Sequence, residues 1–177
     1  VSVFTMLITL LMLGLGSIAE GFGLRRAIVA ALVMTVVGRL LYCLAPGLGG
    51  ATLVTVAVIV SLMVIASGEA ILQPVSYSGI KQYTDEKTSS MGYGLIYAVM
   101  NLGIVGIATL SSWIRPAVQD LKDGKATEHA GALVSWLARF SGTGVQAVNW
   151  VCLGVTVLSL LGFLLLFTRR TEAAKLR

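Results

Sequence analysis

Charged residues are scarce in this sequence of 177 residues, in which Asp, Glu, Lys and Arg together make up 12%. A soluble domain carries about 25% charged residues, and with 56% hydrophobic residues this chain has too few ions to cover a water-exposed surface. The mean hydropathy is +0.90. The scarcity argues against an ordinary soluble domain. The net charge of +5 does not indicate nucleic-acid binding, because the basic residues lie beside apolar runs, where they orient membrane proteins.

Metal-binding and redox-active side chains are equally sparse, with two cysteines and one histidine. Cys43 and Cys152 lie in different apolar runs without a C-x-x-C partner, which favours helix packing over a disulfide or a metal site. His129 lies in a polar segment and is interpreted as a solvated loop residue rather than a pH sensor. We expect no metal and no cofactor.

Five apolar runs are long enough to cross a hydrocarbon core of about 30 Å, which takes about 20 helical residues. They cover about residues 1–19, 27–46, 51–80, 89–113 and 145–168. Continuous runs lack the alternation of barrel strands. The sequence therefore predicts an all-α, polytopic membrane protein. Because Val1 already lies in an apolar run without the charged start of a secretory leader, we also expect a truncated chain.

Lysine and arginine are divided unequally between the two sides of these spans. The richer side holds Arg25, Arg26, Lys81, Lys87, Arg169, Arg170, Lys175 and Arg177. The positive-inside rule makes that side cytoplasmic. This predicts a multi-pass protein of the cell inner (plasma) membrane, with residues 114–144 as an extracytoplasmic loop.

The loop 114–144 has two parts. Its first half is polar and turn-rich, and its second half places apolar residues at helical spacing with Arg139 opposite them: Leu133, Val134, Trp136, Leu137 and Phe140. Such a stripe suits a helix lying on the membrane surface. It suits equally a short helix packed on the outer ends of the spans.

The segment GSIAEGFGLRR, residues 16–26, is the charged break between the first two spans. Its pattern of Gly16, Glu20, Gly23, Arg25 and Arg26 resembles the G-x-x-x-D-x-x-G-x-R-R loop of the major facilitator superfamily. The resemblance implies a cytoplasmic gating loop that locks the two transporter halves in the outward-facing state. The alternative is plain anchoring, in which the arginines bind anionic lipid or pair with acids on neighbouring helices.

A second resemblance, to the proton-dependent oligopeptide transporters, covers residues 66–116. The residues that match its fourth-helix and fifth-helix motifs are Gly68, Gln73 and Pro74, then Ile96, Tyr97, Met100, Asn101 and Gly103. It implies helices two to six of the amino-terminal half of a major facilitator fold, completed by the remaining helices of the same transporter. The chain departs from the family in carrying Gln73 for a lysine and Glu69 for a glycine, and in lacking the first-helix E-x-x-E-R cluster.

Tyr93, Tyr97 and Asn101 recur every fourth residue and therefore share one face of their helix. A polar stripe within a span is expected to face protein or a watery cavity. The resemblance adds Gln73, which stands where the transporter family has a lysine in its substrate cavity. Together the four residues are the predicted substrate-binding set. The alternative is packing between helices, made close by Gly94, Gly103 and Gly106.

Arg39 and Glu69 are the ionisable residues deep within the predicted spans. At about 1.5 Å per residue the two lie at similar depth on consecutive helices. A lone charge there costs about 3 kcal/mol on insertion scales, so we predict a buried ion pair or proton-coupling site. In the rival interpretation Arg39 extends towards the interface and Glu69 is protonated.

The sequence contains no catalytic motif of an intramembrane enzyme: G-x-S-x-G and H-E-x-x-H are absent, and Ser78 has no histidine within the spans to activate it. We therefore expect no enzyme but a secondary active transporter, by proton-coupled symport of peptides or another small polar solute. Its expected partners are that solute, protons and the lipid bilayer, not nucleic acid. The alternatives are a major facilitator exporter of drugs or metabolites and a non-transporting receptor or scaffold.

Overall fold

The computed structural model describes residues 6–14, 23–125 and 131–167, and these residues are helical apart from short connections, with no strand among them. Helix α1 comprises residues 6–14. The helices that follow are α2 (Leu24–Leu44), α3 (Ala51–Tyr83), α4 (Ser89–Lys122), α5 (Ala132–Phe140) and α6 (Gly144–Leu166), with a 3-10 turn, Ala45–Leu48, between α2 and α3. Helices α2, α3, α4 and α6 are long and apolar enough to cross a membrane. The prediction of an all-α protein with several spans is confirmed.

Helix α4 extends further than its predicted span. It continues past Trp113 through Pro116 to Lys122, so the polar segment predicted as the turn-rich start of a loop is helical instead. Ile114, Ala117 and Val118 are buried at helical spacing, which stabilises this extension although its other residues are polar. The proline removes one backbone donor, and the buried apolar contacts outweigh that loss.

The best-packed apolar cluster of the described residues lies at the end of the bundle where α4 stops, here called the α5 end. The cluster consists of Ile114, Ala117, Val118, Val134, Leu137 and Ala147. It joins three helices, because α5 lays one face against α4 and against the first turn of α6. The predicted stripe of α5 is thus only partly buried: Val134 and Leu137 pack inwards, whereas Leu133, Trp136 and Phe140 stay exposed.

Small residues bring α2 and α3 together along most of their length. Ala31, Thr35 and Gly38 of α2 are buried, as are Ser61, Ile65 and Gly68 of α3. A Cβ atom at Gly38 would lie 2.7 Å from Cγ1 of Ile65 and 2.9 Å from its backbone nitrogen. Small residues of this kind replace the hydrophobic effect as the source of helix association within a bilayer.

Two long-range hydrogen bonds fix α2 against α6 as antiparallel neighbours. At the α5 end, Nε2 of Gln146 donates to the carbonyl of Cys43 at 2.5 Å. At the opposite end, here called the Arg25 end, Nε of Arg25 donates to the carbonyl of Phe167 at 2.9 Å. The ring of Tyr83 meets Phe167 edge-on with centroids 5.7 Å apart, so α3 joins the same contact.

Candidate functional site

The candidate site centres on Arg39 of α2 and Glu69 of α3. Nη2 of Arg39 lies 3.5 Å from Oε1 of Glu69, and the two side chains are 20% and 32% exposed. The structure thus places the two residues in contact, as an ion-pair arrangement requires. The distance exceeds the 2.7–2.9 Å of a tight charge-assisted hydrogen bond. The pair is therefore loose and partly accessible.

The tight α2–α3 contact positions this pair. Gly38 and Gly68, the residues that precede Arg39 and Glu69, are both buried in it. Because successive side chains on a helix point about 100° apart, burying the glycines turns the charged neighbours towards the edge of the contact. Both charged side chains therefore lie at the edge of the α2–α3 contact, where they can contact each other.

Arg39 keeps hydrogen-bonding capacity beyond this pair. Its Nε is buried and has no hydrogen-bond partner among the described residues. The thiols of Cys43 and Cys152 lie near enough to interact with its charge, which brings the two cysteines of separate spans to one site. The guanidinium of Arg39 therefore lies among Glu69, Cys43 and Cys152 rather than against Glu69 alone.

A polar face continues along α3 from Glu69. Gln73 and Tyr77 follow at intervals of four residues and are half-buried. Tyr77 then meets Tyr93 of α4, with ring centroids 6.0 Å apart. The polar face of α3 that begins at Glu69 therefore contacts the predicted stripe on α4 through Tyr77.

The stripe on α4 is open within the described chain. Tyr93 is half-buried, Tyr97 is 65% exposed and Asn101 is also exposed. Nδ2 of Asn101 donates to the carbonyl of Tyr97 at 2.8 Å, which leaves its side-chain oxygen free to accept. The amide can therefore offer an acceptor to a ligand without giving up its link to the helix.

Helices α3 and α4 touch closely at the Arg25 end and lose contact away from it. A Cβ atom at Gly92 would lie 2.8 Å from Cγ2 of Ile80. By contrast, a Cβ atom at Gly94, Gly103 or Gly106 would meet nothing within 4 Å. The predicted close packing at these three glycines is not found among the described residues, and Tyr97 and Asn101 of α4 are exposed rather than packed against α3.

The predicted gating loop is described only in part, since Gly16 and Glu20 lie outside the described residues. Gly23 precedes α2 with φ of 82°, a left-handed conformation that favours glycine. Arg25 binds the carbonyl of Phe167 at the end of α6, where the helix dipole favours a cation. Neither Arg25 nor Arg26 forms an ion pair with an acid in the described part of the chain, so the pairing with neighbouring acids stays a prediction.

Sequence reasoning missed three residues that form the site or hold its helices together. Tyr77 carries a readable signal, because it continues the four-residue spacing of Glu69 and Gln73. Gln146 and Phe167 carry none, because their roles depend on contacts with α2 from distant parts of the chain. Only the packed structure shows those contacts.

The site combines one pair of opposite charges with amide and phenol side chains. No group of three or more metal-ligating side chains occurs in the part of the chain that the structure describes. A carboxylate beside a guanidinium can gain or lose a proton, and amide and phenol groups can exchange hydrogen bonds with a solute.

Comparisons with known proteins add no family to this description. No protein-family model matches the chain, no curated protein matches it, and no solved structure matches it.

Proposed function

We propose that the chain belongs to a secondary active transporter of the major facilitator type, which moves a small polar solute together with protons by alternating access. The contact between Arg39 and Glu69, on two helices that are apolar enough to span a membrane, is the observation that carries this proposal. Charged residues within spans are costly and mark ion and substrate pathways. A structural scaffold has no need of them.

The looseness of the ion pair supports a role for Glu69 as the proton carrier. Protonation of Glu69 would remove its charge and release Arg39 from the pair, and deprotonation would restore the attraction. Glu69 is 32% exposed at the edge of the α2–α3 contact, so it would exchange a proton there when the transport cycle brings water to that edge. Two charge states with different helix contacts are what a proton-driven cycle requires.

The solute would bind in the cleft between α3 and α4. Gln73 and Tyr93, which are half-buried, and Tyr97 and Asn101, which are exposed, would line this cleft and provide amide and phenol groups. These groups suit a solute with peptide-like donors and acceptors, and peptides are therefore the first class to test. Further helices of the same transporter would close the cleft, because the apolar middle of α4 has no buried residue in the described chain.

Arg25 would serve the alternating cycle from the Arg25 end. Its bond to Phe167 ties the start of α2 to the end of α6. These helices would then move as one rigid body when the two halves rock. Arg26 is exposed beside it and would contact anionic lipid of the inner leaflet.

An exporter of drugs or metabolites is a second candidate, and the aromatic character of the cleft favours it. Three tyrosines, Tyr77, Tyr93 and Tyr97, would line the cleft. Gln73 provides no charge to fix a peptide carboxylate. Such a lining accepts larger, less polar solutes.

Uptake into proteoliposomes tests the proposal and separates the two candidates. The purified full-length protein is reconstituted, and an acid-outside proton gradient is imposed in the presence of a dipeptide mixture. We expect gradient-dependent accumulation of dipeptides that collapses with a protonophore. Accumulation of amphipathic dyes under the reversed, acid-inside gradient would instead favour the exporter, because proton efflux then drives their entry by exchange. No solute movement under either gradient would contradict a transport function.

A further inference from the structure

Helix α5 presents three distinct faces. At about 100° per residue, its side chains divide into an inward group, a polar group and an apolar outward group. The groups are Val134, Leu137 and Ala138; Ser135 and Arg139; and Leu133, Trp136 and Phe140. Each group has its own surroundings.

The inward group fixes the position of α5 relative to α4 and α6. Val134 is 0% and Leu137 2% exposed, and both belong to the cluster at the α5 end. The cluster includes Ala147 in the first turn of α6, close to where that span begins. Helix α5 therefore lies beside the start of a helix that is long and apolar enough to cross a membrane. With nine residues it is about 14 Å long, too short to cross the bilayer itself.

The apolar outward group is not covered by any other described part of the chain. Leu133, Trp136 and Phe140 are 53%, 56% and 58% exposed. The rings of Trp136 and Phe140 are 5.0 Å apart, so the two form one contiguous patch. An exposed patch of large apolar side chains marks a site of interaction.

The polar group adds charge beside this patch. Arg139 and Lys122 flank a shallow groove of about 300 Å³ whose lining is Leu121, Lys122, Ser135, Ala138 and Arg139. Two cations beside an aromatic patch complement a layer of lipid phosphates above acyl chains. Water would solvate the two cations but would not match the apolar patch.

We propose that α5 is an interfacial helix. Its face of Leu133, Trp136 and Phe140 enters the boundary between headgroups and acyl chains, and Arg139 and Lys122 contact the phosphates. The occupant is lipid because α5 packs against α4 and α6, which are both long and apolar enough to cross a membrane, and because two cations, Lys122 and Arg139, lie together beside its apolar face. Tryptophan prefers this depth, where its ring lies among chains and its N–H reaches polar groups. The proposal is independent of any transport activity.

Fluorescence of Trp136 in vesicles tests the proposal. The chain has three tryptophans, and Trp113→Phe with Trp150→Phe leaves Trp136 as the reporter. The indole nitrogen of Trp150 is buried without a hydrogen-bond partner in the described residues, so its replacement by Phe removes no bond. The protein is reconstituted with phospholipid brominated near the top of the acyl chains, and emission is compared with that in unbrominated vesicles and with added iodide.

We expect brominated lipid to quench Trp136 strongly and iodide to quench it little, because an interfacial indole lies among the upper acyl chains and away from the aqueous quencher. A matched variant carries Ser135→Trp and Trp136→Phe in the same background, which moves the reporter to the polar face. It should be quenched by iodide instead. Quenching of Trp136 by iodide but not by brominated lipid would place the patch in water. Quenching by neither would show that protein covers it. Either result would overturn the proposal.

Discussion

Gly68 of α3 lies directly against Thr35 of α2. A Cβ atom on Gly68 would lie 2.5 Å from Oγ1 of Thr35 and 2.8 Å from the carbonyl oxygen of Ala31. Oγ1 of Thr35 in turn donates to that same carbonyl at 2.9 Å. The contact holds the helices that carry Arg39 and Glu69 at a spacing which no larger residue permits.

Replacing Gly68 with alanine is therefore expected to destabilise the protein. The added methyl group meets backbone as well as side-chain atoms and cannot be relieved by a rotamer change, so we expect a loss of about 1–3 kcal/mol. Thermal unfolding in detergent should show a lower midpoint. Gly154→Ala is the control, because a Cβ atom there meets nothing within 4 Å. A midpoint for Gly68→Ala equal to that of the control would contradict the close contact.

The buried amide of Gln146 gives a second prediction. It donates to the carbonyl of Cys43 and accepts from the backbone nitrogen of Gly142. Gln146→Leu leaves both groups unsatisfied, at a cost of about 1–3 kcal/mol each. We expect lower resistance to unfolding by SDS. Asn149→Leu, which removes only a bond to the carbonyl of Val145 in the same helix, should have a much smaller effect, and equal effects would argue against the long-range bond.

Arg25 should protect the end of α6. The amide of Phe167 donates to the carbonyl of Phe163, and the carbonyl of Phe167 is held by Arg25. Arg25→Gln removes the charged cap, so hydrogen exchange in the last turn of α6 should accelerate. Arg26→Gln, at the exposed neighbouring position, should leave it unchanged. The role assigned to Arg25 would fail if both variants exchanged alike.

Cysteine labelling tests the orientation expected from the Lys and Arg distribution. Single cysteines at Lys87 and Asp123, both exposed and beyond opposite ends of α4, are introduced after Cys43 and Cys152 are changed to serine. Position 123 avoids Gly124, whose φ of 71° disfavours a side chain. On intact cells, an impermeant maleimide should label position 123 and spare position 87. The reverse pattern would invert the topology.

The sequence predicted the helices better than it predicted their contacts. Span periodicity and length are local properties, so α2, α3 and α6 begin and end within a few residues of their predicted positions. The extension of α4 was missed because Pro116 reads as a turn signal and the packing of Ile114 and Val118 depends on α5 and α6. Arg39 and Glu69 could be paired because a charge is costly in a span, whereas Gln146 offers no comparable signal.

The central claim is that Glu69 carries the proton that drives uptake, and its partner is Arg39. Glu69→Gln keeps the shape and polarity of the side chain but cannot ionise. In proteoliposomes of the full-length protein, uphill uptake driven by an acid-outside gradient should be lost, while exchange of bound solute without a gradient should persist. Arg39→Gln added to Glu69→Gln should raise the folding yield, because the unpaired cation is removed. Gradient-driven uptake that survives Glu69→Gln unchanged would contradict the account.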